Sequence, residues 1–231
     1  MVRRISRENI ECCVFDAYGT LFDVMAAAAR CADELGPKAA PLSALWRTKQ
    51  LEYSWLRSLM GRYSDFWSIT GDALDFAMSS LGLENDQALR NRLLGIYREL
   101  DAYPEVADTL KTLKAAGLRL AILSNGSPGM LDAAIKRAAI GGLLDEVVSA
   151  DEIKIYKPSP AVYRLGVERL GVAGPSSICF LSSNSWDVAG AGAFGYRAVW
   201  IDRQGQNYDK LPYGPEARIE SLAHLPALIG L

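Results

Sequence analysis

After Pro104, short apolar strand patterns alternate with amphipathic helix patterns, and this alternation limits the possible folds more than any other feature of the sequence. Short connections and right-handed crossovers turn such an alternation into a parallel sheet with helices on both faces. We therefore predict an α/β fold with a Rossmann-like, doubly wound parallel sheet. The strand patterns are 119–123, 146–149, 177–181 and 197–201, and the helix patterns are 105–116, 128–139, 159–170 and 186–193.

A helical module interrupts this pattern near the start of the chain. One strand pattern, 11–15, precedes the module, in which apolar residues recur at helical spacing over four segments. Glycine or proline separates these segments. The sequence therefore predicts a core domain formed by residues 1–23 and 101–231, with a four-helix cap inserted at 24–100. The four cap segments are 24–35, 42–60, 65–81 and 86–100.

Composition excludes several classes of function. Half of the 231 residues are hydrophobic, which is enough for a substantial core. The formal net charge of −2 gives no broad field that would attract nucleic acid or an anionic membrane. No segment approaches membrane length, and the arginine-containing N-terminus has no apolar signal segment. We expect a cytoplasmic protein that binds neither nucleic acid nor membrane, with four buried thiols because its cysteines lack metal-ligand spacing.

Polar side chains follow several of the predicted strands. Asp16 ends the first strand pattern, Ser124 and Asn125 follow the second, and the segment 182–187 follows a later one. Ligands of doubly wound sheets bind beyond the carboxyl ends of the strands. We therefore expect these side chains to converge there, and we expect Lys157 to join them.

Four spaced motifs carry a resemblance to a known family. They are Asp16-Ala-Tyr-Gly-Thr20, Leu123-Ser-Asn-Gly126, Lys157-Pro-Ser-Pro160 and Ser182-Ser-Asn-Ser-Trp-Asp187, with Arg47 in the first long cap helix. Their order and spacing, over about residues 11–202, resemble the haloacid dehalogenase superfamily. Within that superfamily the chain closely resembles the L-2-haloacid dehalogenases. The resemblance implies a homodimer that acts on a small 2-haloalkanoic acid and water.

Two positions separate this reaction from phosphate chemistry. Phosphatases of the superfamily usually carry a second aspartate two residues after the nucleophile and another acidic metal ligand in the last motif. Here Tyr18 and Ser183 stand at those positions. Because a hard divalent cation needs several oxygen ligands, Asp16 and Asp187 alone would form a poor cage. We predict no metal and no cofactor. A magnesium-dependent phosphatase or phosphonate hydrolase is the first alternative, and a non-catalytic small-carboxylate binder is the second.

The resemblance implies hydrolytic dehalogenation of L-2-haloacids to D-2-hydroxy acids, with inversion at C2. Asp16 would displace the halide and form an ester, while Lys157 keeps Asp16 ionised. Water would then attack the ester, with Asp187 as the general base. The residues expected to orient these groups are Thr20, Ser182 and Asn184.

Further residues are expected to bind the substrate. By resemblance, Arg47, Asn125 and Trp186 would donate to the departing halide, because donors that meet developing charge lower the barrier. Ser124 and the backbone N–H groups after Asp16 would hold the substrate carboxylate. The alkyl group is expected to contact Tyr18, Leu51, Phe66 and Trp186, with Tyr163 supporting the site.

Two C-terminal features lie outside the four motifs. His224 is the single histidine, and its position far from every motif argues against a serine-histidine or aspartate-histidine hydrolase. The segment 203–214 is rich in glycine, glutamine and asparagine, which predicts a long surface loop before a short last strand and helix. We predict a structural role for the histidine.

Overall fold

The computed structural model describes residues 5–231 and contains a six-stranded, fully parallel sheet. The strands are β1 Cys12–Phe15, β2 Arg119–Ser124, β3 Glu146–Ser149, β4 Ile178–Ser182, β5 Arg197–Ile201 and β6 Ala217–Ile219. Their order in the sheet is β3-β2-β1-β4-β5-β6, so the direction of winding changes between β1 and β4. In such sheets the ligand crevice lies at this switch point. The predicted α/β fold class is therefore confirmed.

The central strands are continuous apolar runs because helices cover both faces of the sheet. Every residue of β1 is buried, and β4 is buried over its whole length. All four cysteines are buried free thiols, as expected. After β5, residues 203–214 form an irregular and largely exposed segment, followed by β6 and a short last helix. Within residues 5–231, no helix combines the length and apolarity needed to span a membrane.

The helices that flank the sheet begin and end at expected signals. Pro128 and Pro160 lie in the first turns of their helices, where a missing N–H costs nothing. Gly171 ends the helix that Pro160 begins, at a φ of 56°, in the left-handed region that suits glycine. These helices are α6 Val106–Ala115, α7 Pro128–Arg137, α8 Pro160–Leu170, α9 Ser185–Phe194 and α10 Leu225–Leu228.

Between β1 and α6 the chain is helical. Asp65 caps α4 by accepting hydrogen bonds from the backbone N–H groups of Trp67 and Ser68, and Asp86 caps α5 through Leu89. The helices α3 and α4 pack against each other and form the main body of this region. The helices are α1 Ala26–Arg30, α2 Ala32–Leu35, α3 Ala39–Leu59, α4 Phe66–Ser80 and α5 Gln87–Arg98.

The first predicted cap helix, 24–35, is wrong in its continuity. The structure divides it into α1 and α2 because the backbone of Cys31 leaves helical geometry at a φ of −105° and a ψ of 15°. A 3₁₀ turn, Gly36–Lys38, then leads into α3, which begins three residues before the predicted segment 42–60. Gly36, which ends α2, adopts a φ of 52°, a backbone conformation that glycine adopts more readily than other residues.

The chain enters and leaves the helical region at one place. The backbone N–H of Asp23 donates to the carbonyl of Asp101 over 3.0 Å, and that of Tyr103 donates to Leu21 over 2.9 Å. The two segments that connect the helical region to the rest of the chain are therefore hydrogen-bonded side by side. We propose residues 24–100 as the cap domain and the rest of the chain as the core.

Candidate active site

Three charged side chains are buried together beyond the carboxyl ends of β1 and β4. Asp16 is 6% exposed, and Lys157 and Asp187 are fully buried. The Lys157 ammonium lies 3.2 Å from Asp16 Oδ1 and 2.8 Å from Asp187 Oδ2. Two carboxylates compensate the cost of burying one ammonium, since an unpaired buried charge is strongly unfavourable. The sheet thus brings together groups that are 141 and 30 residues apart in the chain.

Charge and burial act against each other in this cluster. Burial disfavours the Lys157 ammonium, but the charges of Asp16 and Asp187 outweigh it and raise the pKa of Lys157. Burial raises the pKa of Asp187 to about 6, although the Lys157 charge opposes the shift. Lys157 therefore stays cationic, while Asp187 can take up and release a proton near neutral pH.

Three further donors converge on the other oxygen of Asp16. Its Oδ2 atom accepts hydrogen bonds from Asn184 Nδ2 at 2.8 Å, Thr20 Oγ1 at 3.1 Å and Ser182 Oγ at 3.4 Å. The Oδ1 atom accepts from Lys157 alone among the described residues. The carboxylate is consequently fixed in orientation, and Oδ1 keeps the larger acceptor capacity.

Asp187 lies in the first turn of α9, where the helix dipole favours a negative charge. Tyr163 donates its hydroxyl to Asp187 Oδ1 over 2.8 Å and is fully buried. A side chain at Gly190 could not fit, because a Cβ atom there would lie 2.5 Å from the Tyr163 hydroxyl. Tyr163 thus contacts the Asp187 carboxylate and orients it from behind, which is a supporting position rather than a place in the substrate pocket.

Arg47 reaches the cluster from the cap helix α3. Its Nη2 group donates to Asn184 Oδ1 at 3.1 Å, and Asn184 in turn donates to Asp16. Its Nη1 group donates to Gln50 Oε1 at 2.8 Å. Within the described residues, no carboxylate lies within ion-pair distance of Arg47. Its positive charge is therefore uncompensated beside the site.

The turn after β2 supplies neutral polar groups. Asn125 is 6% exposed and accepts from the backbone N–H of Lys157 through Oδ1 at 2.9 Å. Over residues 5–231, its Nδ2 group has no protein acceptor. Ser124 is fully buried, and its hydroxyl oxygen accepts from the N–H of Gly126 at 3.1 Å. The Asn125 amide group can therefore donate a hydrogen bond to a bound ligand.

Aromatic rings enclose the site on the cap side. Tyr18 is buried, with its ring 6.0 Å from that of Tyr97 and 6.3 Å from that of Phe66. A Cβ atom at Gly126 would lie 2.6 Å from the Tyr18 ring, so glycine is required there. The ring of Tyr18 therefore packs directly over the turn that carries Asn125.

Two predicted pocket residues lie further from the buried charges. Leu51 is half-buried on α3, one turn after Arg47 and on the same face of the helix. Trp186 packs edge-to-face on Trp55, with ring centroids 5.3 Å apart. It also lines a groove of about 550 Å³ together with Lys157 and Tyr156. Within residues 5–231, neither Leu51 nor Trp186 forms a hydrogen bond with the Asp16 side chain.

Sequence reasoning missed two groups beside the site. Gln50 is 1% exposed and bonds to Arg47. It follows Leu42 and Trp46 at four-residue spacing, so a polar residue on the apolar face of α3 was the available signal. Arg203, from the loop without a predicted function, donates to the carbonyl of Thr20 over 2.9 Å. No pattern in the sequence pointed to that contact.

The donor set does not resemble a metal cage. The ammonium of Lys157 already occupies the position between the carboxylates of Asp16 and Asp187. Over residues 5–231, no three histidine, cysteine, aspartate or glutamate side chains cluster in a way that could hold a metal ion. Ser183, at the expected acidic position, contributes a neutral hydroxyl. Lys157 and Arg47 supply positive charge at the site.

Comparisons with known proteins agree with this geometry. The profile of the family described as haloacid dehalogenase-like hydrolase matches residues 10–195. (S)-2-haloacid dehalogenase 1 of Pseudomonas sp. (strain CBS-3) is 52% identical over 96% of this chain and 97% of its own. (S)-2-haloacid dehalogenase 4A of Burkholderia cepacia is 49% identical over 96% of both chains.

Solved structures show the same likeness. L-2-haloacid dehalogenase from Xanthobacter autotrophicus, with chloropropionic acid covalently bound, has a TM-score of 0.88 and 37% identity. That alignment covers 95% of this chain and 98% of the other. A dehalogenase solved with an intermediate complex has a TM-score of 0.93 at 48% identity, over 98% and 99% of the two chains. The chain therefore belongs to the haloacid dehalogenase-like hydrolases and, within them, to the L-2-haloacid dehalogenases.

Proposed function

We propose that this protein hydrolyses L-2-haloacids to D-2-hydroxy acids through an ester on Asp16, with no metal. The observation that carries the proposal is the buried Lys157 ammonium shared between two carboxylates, Asp16 and Asp187. One carboxylate is fixed by four donors, as a nucleophile requires, and the other has a pKa raised to about 6, as a general base requires.

In the first step, Asp16 Oδ1 attacks C2 of the substrate from the side opposite the halogen. The new C2–O bond forms as the C2–halogen bond breaks, and the halide leaves with the electron pair. This backside geometry inverts C2. Arg47 carries an uncompensated positive charge beside the site, and Asn125 offers an amide N–H without a protein acceptor. We assign these groups, with the Trp186 indole, to the departing halide.

In the second step, water attacks the carbonyl carbon of the Asp16 ester while Asp187 accepts its proton. The carbon–oxygen bond between the aspartyl carbonyl and the substrate oxygen then breaks. That oxygen leaves on the product and takes the proton back from Asp187, and the second proton of the water, left on the regenerated Asp16 carboxyl group, is released to solvent. The developing negative charge on the ester carbonyl oxygen, Oδ2, meets the donors already bound to that atom, namely Asn184, Thr20 and Ser182.

The remaining groups bind the substrate. Backbone N–H groups after Asp16 and the Ser124 hydroxyl are proposed to hold the substrate carboxylate. The packed rings of Tyr18 and Phe66 form an apolar wall for the alkyl group, and Leu51 lies on the same cap face as Arg47. An anion seat and an apolar wall on opposite sides of C2 would select one enantiomer.

We further infer a cytoplasmic homodimer. Leu56, Leu59 and Met60, at the end of α3, are 51%, 84% and 63% exposed, which leaves apolar surface for a second copy to cover. Four free cysteines suit a reducing compartment. The exposed apolar residues support the homodimer that the resemblance implies, and the free cysteines support the cytoplasmic location expected from the sequence.

The direct test is halide release by the purified protein with a chelator present. We expect release from L-2-chloropropionate and none from the D form, because only one enantiomer presents the halogen opposite Asp16. In parallel, p-nitrophenyl phosphate with magnesium should not be hydrolysed. Phosphate ester hydrolysis without halide release would overturn the proposal in favour of the magnesium-dependent phosphatase.

The rate of ester hydrolysis should fall below pH 6. Burial, the largest cause, raises the pKa of Asp187 to about 6, and only the ionised form can accept a proton. At pH 5 about one tenth of Asp187 is ionised in the free protein. The ester removes the Asp16 charge that helps to raise this pKa, so kcat should fall by up to about tenfold when hydrolysis is limiting. The measurement is kcat against pH from 4.5 to 8, with circular dichroism as the control for folding.

Acid unfolding through Asp187 would not explain that loss. The pKa of Asp187 in the folded state lies above its ordinary value of 3.8, so the folded state binds the proton more tightly. The contribution of this group to the free energy of unfolding therefore rises as the pH falls from about 6 towards 4. A kcat that does not change with pH over this range would show that Asp187 is not the general base.

A further inference from the structure

A buried amide in the cap holds the Arg47 guanidinium. Gln50 is 1% exposed and lies one helical turn after Arg47 on α3. Its Oε1 atom accepts from Arg47 Nη1 at 2.8 Å, and its Nε2 group donates to Thr70 Oγ1 at 2.7 Å and to the Tyr97 hydroxyl at 3.0 Å. Every polar atom of the Gln50 side chain thus has a partner.

The direction of this hydrogen-bond chain is fixed at both ends. At one end, Thr70 commits its hydroxyl proton to the carbonyl of Phe66 over 2.7 Å, so it can only accept from Gln50. At the other end, a guanidinium can only donate. The oxygen of Gln50 must therefore face Arg47, and the hydrogen-bond network fixes the orientation of the amide.

The partners of Arg47 are both neutral. Its two bonded oxygens belong to the amides of Gln50 and Asn184. A carboxylate at either position would give a charge-assisted pair and cancel much of the guanidinium's charge. An amide oxygen orients the group and leaves its charge intact. Orientation and full charge are the two properties that stabilise a departing anion.

We propose that Gln50 is a positioning residue that orients the Arg47 guanidinium towards the departing halide while keeping its charge uncompensated. This inference rests on the proposed dehalogenation, in which Arg47 meets the halide. Gln50 itself does not touch the reacting atoms. It acts through Arg47, so its loss should affect the halide-releasing step and leave the ester-hydrolysing step unchanged.

Two variants separate orientation from charge. Gln50→Glu keeps the shape and the oxygen that orients Arg47 but adds a neutralising carboxylate. Gln50→Met removes the oriented oxygen without adding charge. The control, Gln87→Glu, adds the same charge to an exposed position on the cap helix α5.

The measurement is the rate of halide release in a single turnover of L-2-chloropropionate and L-2-bromopropionate. Gln50→Glu should slow chloride release about 100-fold, the order seen when a preorganised donor is lost. Bromide release should slow less, because the better leaving group needs less stabilisation. Gln50→Met should also slow chloride release more than bromide release, but both effects should be smaller than in Gln50→Glu. Gln87→Glu should release both halides at the wild-type rate. Loss of thermal stability alone, with unchanged rates and an unchanged chloride-to-bromide ratio, would overturn the proposal.

A binding measurement keeps this test separate from the proposed function. Bromide binding to the resting protein, followed by ⁸¹Br NMR line broadening, requires no turnover. Gln50→Glu should weaken bromide binding at least about tenfold relative to the wild type and Gln87→Glu, because the charge of Arg47 is cancelled. Equal binding by all three proteins, or no binding by the wild type, would contradict the role of Gln50. Wild-type protein that binds bromide but releases no halide from haloacids would contradict the proposed function instead.

Discussion

Replacing Lys157 with methionine is expected to lower the free energy of unfolding by about 3–5 kcal/mol at pH 8 and to abolish measurable turnover. The substitution leaves Asp16 and Asp187 buried as two carboxylates without the ammonium that now lies 3.2 Å and 2.8 Å from them. Their mutual repulsion and their lost hydration then oppose folding. Urea unfolding of the wild type and the variant at pH 8 measures the difference.

The pH dependence of the same variant gives a second readout. The charge of Lys157 lowers the pKa of Asp187, so without the ammonium the folded-state pKa of Asp187 rises further and the folded state binds the proton more tightly than the unfolded state. The difference in the free energy of unfolding between the wild type and Lys157→Met should therefore shrink as the pH is lowered from 8 to 5. A deficit that stays constant over this range would show that lost packing, rather than unpaired charge, causes the instability.

Lys154 provides the matched control. It precedes Lys157 by three residues, and its side chain is 57% exposed in an ion pair with Asp151 at 2.8 Å. Exposed pairs contribute about 0–1 kcal/mol, so Lys154→Met should unfold almost as the wild type does. A similar loss of stability in both variants would contradict the central role of the buried ammonium.

The location of the site could be predicted from the sequence because it follows from the sheet. A strand that ends in Asp16, and others followed by Asn125 and by the segment that contains Asp187, must converge in a doubly wound fold. The structure brings these groups together with Lys157. Long strand and helix patterns fix the order of elements, and the order of elements fixes which loops meet.

The support of Arg47 could not be predicted, because helical periodicity identifies a buried face but not its partners. Gln50 shares that face with Trp46, and sequence alone predicts only that both point inwards. The contacts of Gln50 come from Thr70 and Tyr97, which are 20 and 47 residues away on other helices. Relative placement of helices within the cap decides those pairings, and it depends on side-chain packing that no local pattern encodes.

Loop residues were equally unpredictable. Arg203 lies in the segment whose role the sequence left open, and it ties the carbonyl of Thr20 to the side chain of Glu105. The Arg203 guanidinium stacks on the Tyr103 ring, with Cζ 3.7 Å from the ring centroid, and this contact holds it in place. The break at Cys31 was missed for a related reason, since an alanine-rich segment satisfies helical spacing whether or not it is continuous.

Replacing Asp187 with asparagine is expected to separate the two chemical steps. The amide keeps the shape of the carboxyl group. Its oxygen can accept from Lys157, which lies 2.8 Å from Asp187 Oδ2 in the wild type, while its NH2 group donates to the Tyr163 hydroxyl. Lys157 keeps Asp16 as its counter-ion at 3.2 Å. Displacement of the halide by Asp16 therefore remains possible. Hydrolysis of the ester loses its base and should slow by about 10²–10⁴-fold.

The measurement is a rapid-mixing assay of halide release from L-2-chloropropionate. We expect a burst of one chloride per site, followed by almost no further release. The trapped protein should gain the mass of the substrate minus hydrogen chloride, and peptide mapping should place the addition on Asp16. Asp16→Asn combined with Asp187→Asn should show neither burst nor added mass.

Asp132→Asn is the matched control, since Asp132 is exposed on α7 and makes no described hydrogen bond. It should turn over as the wild type does. Multiple turnovers by Asp187→Asn at the wild-type rate would mean that another group activates the water. The absence of a burst, in a variant that is folded, would mean that Asp187 acts before the ester forms. In that case the shared Lys157 ammonium would couple the charge of Asp187 to the nucleophile, and the two steps could not be assigned to separate carboxylates.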